Sequence, residues 1–243
     1  MRLSSSRITA LTHRPQQDFP LWDKAGTRPS LDLQFADRKD LVDATTGSNL
    51  VDFTRASSGT YVGSDGLIKT AVTNLLTYSE EFDQSAYSRS GTTPATVTAN
   101  DINAPDGTLT ADRINASVNG GVYQTVTVAA NVPVTLSGYI KAGANIDEVL
   151  LRDDLNAGRH IGIRLSDGAI FQTSGDITSS SSTFVGNGWY RIVMTYTPTS
   201  SEARWWVRND TANVGDFYLW GAQIEQSDTV GEYVKTTSTI NSA

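Results

Sequence analysis

There is no cysteine among these 243 residues, and that absence removes disulfide scaffolds, thiolate metal sites, iron–sulfur clusters and cysteine nucleophiles together. Histidine is nearly absent as well. His13 and His160 are the whole complement, so an imidazole-based triad must be built on one of them. The Gly-x-Ser-x-Gly nucleophile elbow and the Walker A spacing are both missing, and Gly63-Ser64-Asp65-Gly66 reads as a hairpin turn instead. No apolar run approaches the roughly 20 residues a membrane helix needs. The opening stretch, Met1 to Gln17, lacks the apolar core of a signal peptide, so no export signal is expected. Positive charge is also in short supply. With 26 acidic against 19 basic side chains, the net charge of −7 repels phosphate backbones and anionic lipids, which argues against nucleic-acid and membrane partners.

What is plentiful is glycine, serine, threonine, valine, tyrosine and tryptophan, a composition that favours strands over helices and makes an all-β protein the expectation. Between Tyr123 and Glu225 seven strand candidates follow one another: Tyr123 to Val128, Val134 to Ala142, Glu148 to Asp154, His160 to Leu165, Trp189 to Thr197, Arg204 to Asn209 and Asp216 to Glu225. Their separators, such as Ala-Asn-Val-Pro and Gly-Asn-Gly, are turn compositions. A two-sheet jelly-roll β-sandwich over residues 73–243 follows. The stretch Ile177 to Phe184 reads as a loop or polar edge, and Glu80 to Tyr87 as the one short helix.

Two segments precede the sandwich. Residues 1–30 hold no sustained period and are broken by Pro15, Pro20 and Pro29, so they read as an extended N-terminal arm with a reach on the order of 100 Å when stretched. Its apolar residues Ile8, Leu11, Phe19, Leu21 and Trp22 have little use in a solvated tail and suit a docking arm. Residues 31–72 read as a small β-hairpin region, with Ser64-Asp65-Gly66 turning between Tyr61-Val62 and Leu67-Ile68.

No catalytic constellation emerges. Asp153 and Asp154 are adjacent on one strand, so their side chains point to opposite faces and cannot form the facing pair that glycoside hydrolysis requires. Glu80 and Glu81 read as a solvated turn. With no thiolate and two distant histidines, neither a metal centre nor a cofactor is expected. Aromatic residues are the notable feature: Trp205 and Trp206 are neighbours, so one enters the core while the other meets solvent, a ligand or a partner. Arg204, Trp206 and Arg208 share a face, a pattern that suits a sugar ring, a subunit interface or a ring merely covered by arginine stems. On the closing strand, Tyr218, Trp220, Ala222 and Ile224 are expected on one face and Phe217, Leu219, Gly221 and Gln223 on the other. Both faces are apolar, so extra cover is expected from the hairpin, the arm or another subunit. Trp189 is expected in the core.

Two stretches, Thr73 to Ser88 (TNLLTYSEEFDQSAYS) and Gly186 to Thr197 (GNGWYRIVMTYT), resemble the jelly-roll carbohydrate-binding modules found beside bacterial glycosidases. Those modules often hold a structural calcium through a carboxylate on the closing strand. Trp220 and Gly221 stand at those positions here and cannot ligate it, leaving Glu80, Glu81 or Asp83 with Asp106 as the remaining acidic combination. A more specific resemblance is to tailed-phage virion proteins. It rests on the order DFTRASSGTYVGSDGLIKTA, TNLLTYSEEFD, APDGTLTADRI and FYLWGAQIEQSDTVGEYVKT across residues 52–236. It implies a non-enzymatic virion protein, a tail-fibre or head-decoration component that forms a homo-oligomer, a trimer by analogy, docks on other virion proteins through its N-terminal region and turns its jelly roll outward toward host-surface glycans. The alternative is a soluble carbohydrate-binding module, while a polysaccharide depolymerase has only fold analogy behind it.

Overall fold

Apolar residues that recur at every second position, separated by Gly, Asn and Asp turns, bury one face of a strand and solvate the other, and strands of this kind build nearly the whole structure. The computed structural model describes residues 60–62, 68–155 and 158–242; the expected arm residues Ile8, Leu11, Phe19, Leu21 and Trp22 lie outside them. A short hairpin, β1 (Thr60–Val62) against β2 (Ile68–Thr70), comes first, followed by β3 (Thr73–Asn74) and β4 (Ser88–Ser90). Then come β5 (Thr96–Ile102), β6 (Ala111–Ala116), β7 (Gly121–Thr127), β8 (Val134–Ala142), β9 (Glu148–Asp153) and β10 (Arg159–Arg164). The chain continues through β11 (Ile170–Ser174), β12 (Ile177–Gly186), β13 (Trp189–Tyr196), β14 (Glu202–Asn209), β15 (Gly215–Glu225) and β16 (Asn241–Ser242). Every pairing between these strands is antiparallel.

The protein is an all-β two-sheet sandwich. The front sheet has the order β11-β10-β9-β14-β7-β4 and the back sheet β12-β13-β8-β15-β6-β5. The inward side chains interleave between them: Val149, Leu151, Ile161, Ile163, Trp205 and Val207 from the front meet Leu136, Ile140, Ile192, Met194, Phe217 and Leu219 from the back. Trp205 spans the gap. Its Nε1 donates to the Ser137 carbonyl of the opposite sheet at 2.8 Å, and its ring fills the space left by Gly138, where a Cβ would sit 2.9 Å from Cζ2.

Residues 75–87 plug one end of the sandwich. Leu76 and Phe82 are fully buried, with Phe82 stacked on Trp205 at 5.7 Å between centroids. These residues form successive turns, not the short helix expected over Glu80 to Tyr87. The backbone is committed elsewhere: Asp112 accepts from Phe82 N at 2.7 Å, and Tyr78 N donates to the Thr237 carbonyl at 2.7 Å. All seven strands anticipated between Tyr123 and Glu225 are present, with ends shifted by two residues or fewer. Ile177 to Gly186 is a ten-residue edge strand.

The closing strand β15 corrects the expected face assignment. Gly221, at φ +62°, makes a bulge that shifts register between Trp220 and Gln223, so alternation restarts there. Phe217, Leu219, Ala222 and Ile224 all join the inter-sheet core, while Tyr218 and Trp220 pack into a second cluster on the outside of the back sheet. Trp189 is fully buried, as expected of a core residue, but in that second cluster and not between the sheets. The cover anticipated from the hairpin, the arm or another subunit is supplied, among the described residues, by the chain's own loops: Tyr233 packs on Trp220 at 4.7 Å, and Asn103 and Thr110 accept from the indole nitrogens of Trp189 and Trp220.

Candidate functional site

Strand pairing brings together, on the outside of the front sheet, residues that are far apart in sequence. Trp206 of β14 stands opposite Tyr123 of β7 on one side and Arg152 of β9 on the other. The row continues from Arg152 to His160 and Ser174, and from Tyr123 to Ser88. Directly opposed residues share a face, so Ser174, His160, Arg152, Trp206, Tyr123 and Ser88 form one cross-strand row over all six strands, roughly 24 Å long at the usual strand spacing. None of the six is buried.

At its centre the row is aromatic and cationic. The Trp206 and Tyr123 rings lie 5.9 Å apart, tilted at 59°. Arg152 and Arg208 place their guanidinium carbons 5.4 Å and 5.7 Å from the Trp206 ring, and Arg204 sits 4.6 Å from Tyr123. Such contacts hold the rings at a fixed tilt while leaving part of each in solvent. Ser90 fixes the edge of the indole by accepting from Trp206 Nε1 at 3.1 Å.

The carboxylates here are already engaged. Arg204 Nη1 donates to Asp154 at 2.8 Å and its Nε to Thr125 Oγ1 at 3.0 Å; Arg208 pairs with Asp210 at 3.1 Å and also donates to the Asn119 side chain. Burial holds the Arg208 guanidinium below its usual range, with Asp210 opposing the shift. Arg152 is only partly buried and has no hydrogen-bond or ion-pair partner among the described residues; its Nε is buried. Next to it, His160 is fixed by Gly158 O at Nδ1 (2.9 Å) and by the Gln172 amide at Nε2 (3.0 Å).

Of the residues singled out from sequence, Arg204, Trp206 and Arg208 do lie on this outer face, Arg208 the most buried of the three. Asp153 and Asp154 diverge as adjacent strand residues must: Asp153 is buried and accepts from the Tyr196 hydroxyl, whereas Asp154 faces out to Arg204. Arg152, Tyr123 and His160 were not expected. They reach the site only through pairing between strands tens of residues apart.

The acidic combination near Glu80 is differently disposed. Glu80 is buried, not solvated, and its two oxygens accept from Tyr233 Oη at 3.0 Å and Lys235 Nζ at 2.7 Å. Asp106 instead accepts from Thr108 N and Oγ1. Among the described residues no group of three or more His, Asp or Glu is placed to hold a metal ion.

A groove of about 460 Å³ flanks the row where short β4 leaves the edge of β7 without a strand neighbour; Thr77, Gln124, Thr125 and Ile240 line it.

No family model matches this chain, and no curated protein matches it. Among solved structures, it is similar to the CBM22-1 xylan-binding domain of Paenibacillus barcinonensis Xyn10C, at 17% identity, with 65% of this chain and 96% of that one covered and a TM-score of 0.42. It is similar also to TmCBM61, solved with beta-1,4-galactotriose, at 16% identity, with 63% and 99% covered and a TM-score of 0.40. The third is the enzymatically active domain of bacteriophage CBA120 tailspike protein 4, at 17% identity and a TM-score of 0.39; the match covers 62% of this chain but only 21% of that one. At these identities and scores the likeness is one of architecture, and neither ligands nor partners are carried over from it.

Proposed function

We propose that this chain is a non-enzymatic glycan-binding module whose sugar site is the outer face of the front sheet. The observation that carries the reading is the half-buried Trp206–Tyr123 pair at the centre of a cross-strand row of six residues, none of them buried. Aromatic faces held at fixed tilt stack on the apolar faces of sugar rings, and polar groups beside them orient the hydroxyls. Turnover needs two facing carboxylates, and the two acids in this patch, Asp154 and Asp210, are each engaged by an arginine. A glycan array probed with the full chain and with Trp206→Ala tests the reading. Binding by the parent that drops at least about tenfold in the variant, with the fold intact by circular dichroism, is expected. No binding by the parent, or equal binding by both, overturns it.

We propose as its setting the outside of a tailed-phage particle, as a tail-fibre or head-decoration component. The support is the sequence order across residues 52–236 described above. On this reading residues 1–30 dock on other virion proteins and the sandwich faces outward, in a trimer by analogy with phage appendages. Deleting residues 1–30 then leaves the sandwich folded and abolishes incorporation into particles. Normal occupancy of the truncated protein on particles overturns the docking role.

A further inference from the structure

The groups around Trp206 are unevenly divided between donors and acceptors. A neutral sugar hydroxyl both donates and accepts, so a site made for it offers acceptors as well as donors. Here the charged donors are the guanidinium groups of Arg152, Arg204 and Arg208, while of the nearby carboxylates Asp154 already accepts from Arg204 and Asp210 is ion-paired with Arg208. Three cations against two anions leave one positive charge in the patch of a chain whose net charge is −7. The surplus sits on Arg152, which is only partly buried, lies against the Trp206 ring and has no hydrogen-bond or ion-pair partner among the described residues. A planar guanidinium presents two parallel N–H groups, a geometry that matches a carboxylate in bidentate fashion.

Building on the glycan reading above, we infer that the bound sugar is acidic, with a uronate-type carboxylate received by Arg152 while the ring of that residue or its neighbour stacks on Trp206. The long-range field adds to the selectivity. The net charge of −7 disfavours non-specific attraction of polyanions, so binding of an acidic glycan has to rest on a local contact such as this one.

The test is titration calorimetry of the full chain against oligosaccharides of galacturonate, glucuronate and mannuronate, each beside the same oligosaccharide after carboxyl reduction. Neutral and sulfated oligosaccharides complete the set. At least one uronate is expected to bind about tenfold or more tighter than its reduced counterpart, with affinity falling as salt rises. Arg152→Gln is expected to bring the two forms to within about threefold, Arg152→Lys to keep part of the preference, and Trp206→Ala to abolish binding of both. Equal affinity for a uronate and its reduced form, or a preference that survives Arg152→Gln, overturns the acidic-sugar inference and leaves the glycan reading standing. A sulfated neutral glycan that outcompetes every uronate shows that the anion is a sulfate ester and overturns the carboxylate assignment. Binding of uronates that is indifferent to Trp206→Ala shows mere charge attraction and overturns the stacked site. Absence of binding to every sugar overturns the glycan reading itself.

Discussion

Trp205 and Trp206 are consecutive residues that serve opposite sides of one sheet: Trp205 donates to Ser137 across the core at 2.8 Å, and Trp206 donates to Ser90 on the outer face at 3.1 Å. The first indole is fully buried and stacked on Phe82. The second is half-buried under arginines. The two therefore separate folding from binding. Trp205→Ala is expected to cost about 3–5 kcal/mol of stability through the cavity it leaves, whereas Trp206→Ala costs about 1 kcal/mol or less and removes glycan binding. Urea denaturation beside calorimetric binding measures both; a Trp206→Ala protein as unstable as Trp205→Ala would show that the outer indole is a core element.

Asp112 makes stability depend on pH in an unusual direction. Its carboxyl lies inside the sandwich, and burial pushes it up to about 6 despite the two backbone N–H donors, from Asn100 and Phe82, that favour its charged form. Burial also raises Glu225. A carboxyl whose folded pKa exceeds its unfolded value of about 4 binds more protons when folded, so its contribution is present at acid pH and lost as pH rises through 6. The protein is expected to be more stable at pH 5 than at pH 7.5, by about 1–1.5 kcal/mol from Asp112 alone. Urea midpoints across that range check this, and Asp112→Asn should flatten the profile. A stability that rises steadily from pH 5 to 7.5 contradicts it.

Gly221 is held at φ +62° at the bulge that re-phases β15, and a Cβ there would lie 2.9 Å from Tyr139 Cδ2 and 3.4 Å from Tyr233 Cε2. Left-handed strain and the clash act together, so Gly221→Ala is expected to cost about 2 kcal/mol or more. Near-ultraviolet dichroism should also report a disturbed Trp220–Tyr233 cluster. Gly107→Ala, at φ +88° with no atom within 4 Å of the added Cβ, isolates the strain without the clash and should cost less.

Chelation is expected to leave the melting temperature within about 2 °C of its starting value. The basis is occupancy: the oxygens of Glu80 are held by Tyr233 and Lys235, and those of Asp112 by two backbone amides. A fall of about 5 °C or more, worth roughly 1–2 kcal/mol in a protein of this size, would reveal a structural cation.

The strands legible in the sequence are those with one buried face, because burial imposes the alternation that a reader can see. Leu136, Ile140, Trp205 and Val207 announce their strands in this way. The edge strands β11 and β12 are solvated on both sides over most of their length, so Ile170 to Ser174 and the serine run of β12 carry no such signal. In β6 a carboxylate, Asp112, occupies an inward position usually taken by an apolar residue, which hides the period. The bulge at Gly221 defeated the face assignment on β15 because one extra residue exchanges the two faces. At the site, period two was enough to put Arg204, Trp206 and Arg208 together. Arg152 and Tyr123 join them by register between strands 50 to 85 residues apart, which no local pattern encodes.

The ends of the sandwich meet at one place. Thr73 pairs with Ser242 and Asn74 with Asn241, while the Asn74 side-chain amide donates to the carbonyls of Ala222 and Val234. A tension applied between residues 73 and 242 would therefore be met first by a two-residue ladder and the hydrogen bonds of the Asn74 side chain. Because Thr73 and Ser242 are paired directly in an antiparallel ladder, pulling them apart would unzip it one pair at a time, starting from its open end. Load on the two ends would meet this ladder, and then the bonds from Asn74 and Leu75 to β15 of the back sheet, before it met the front-sheet row around Trp206.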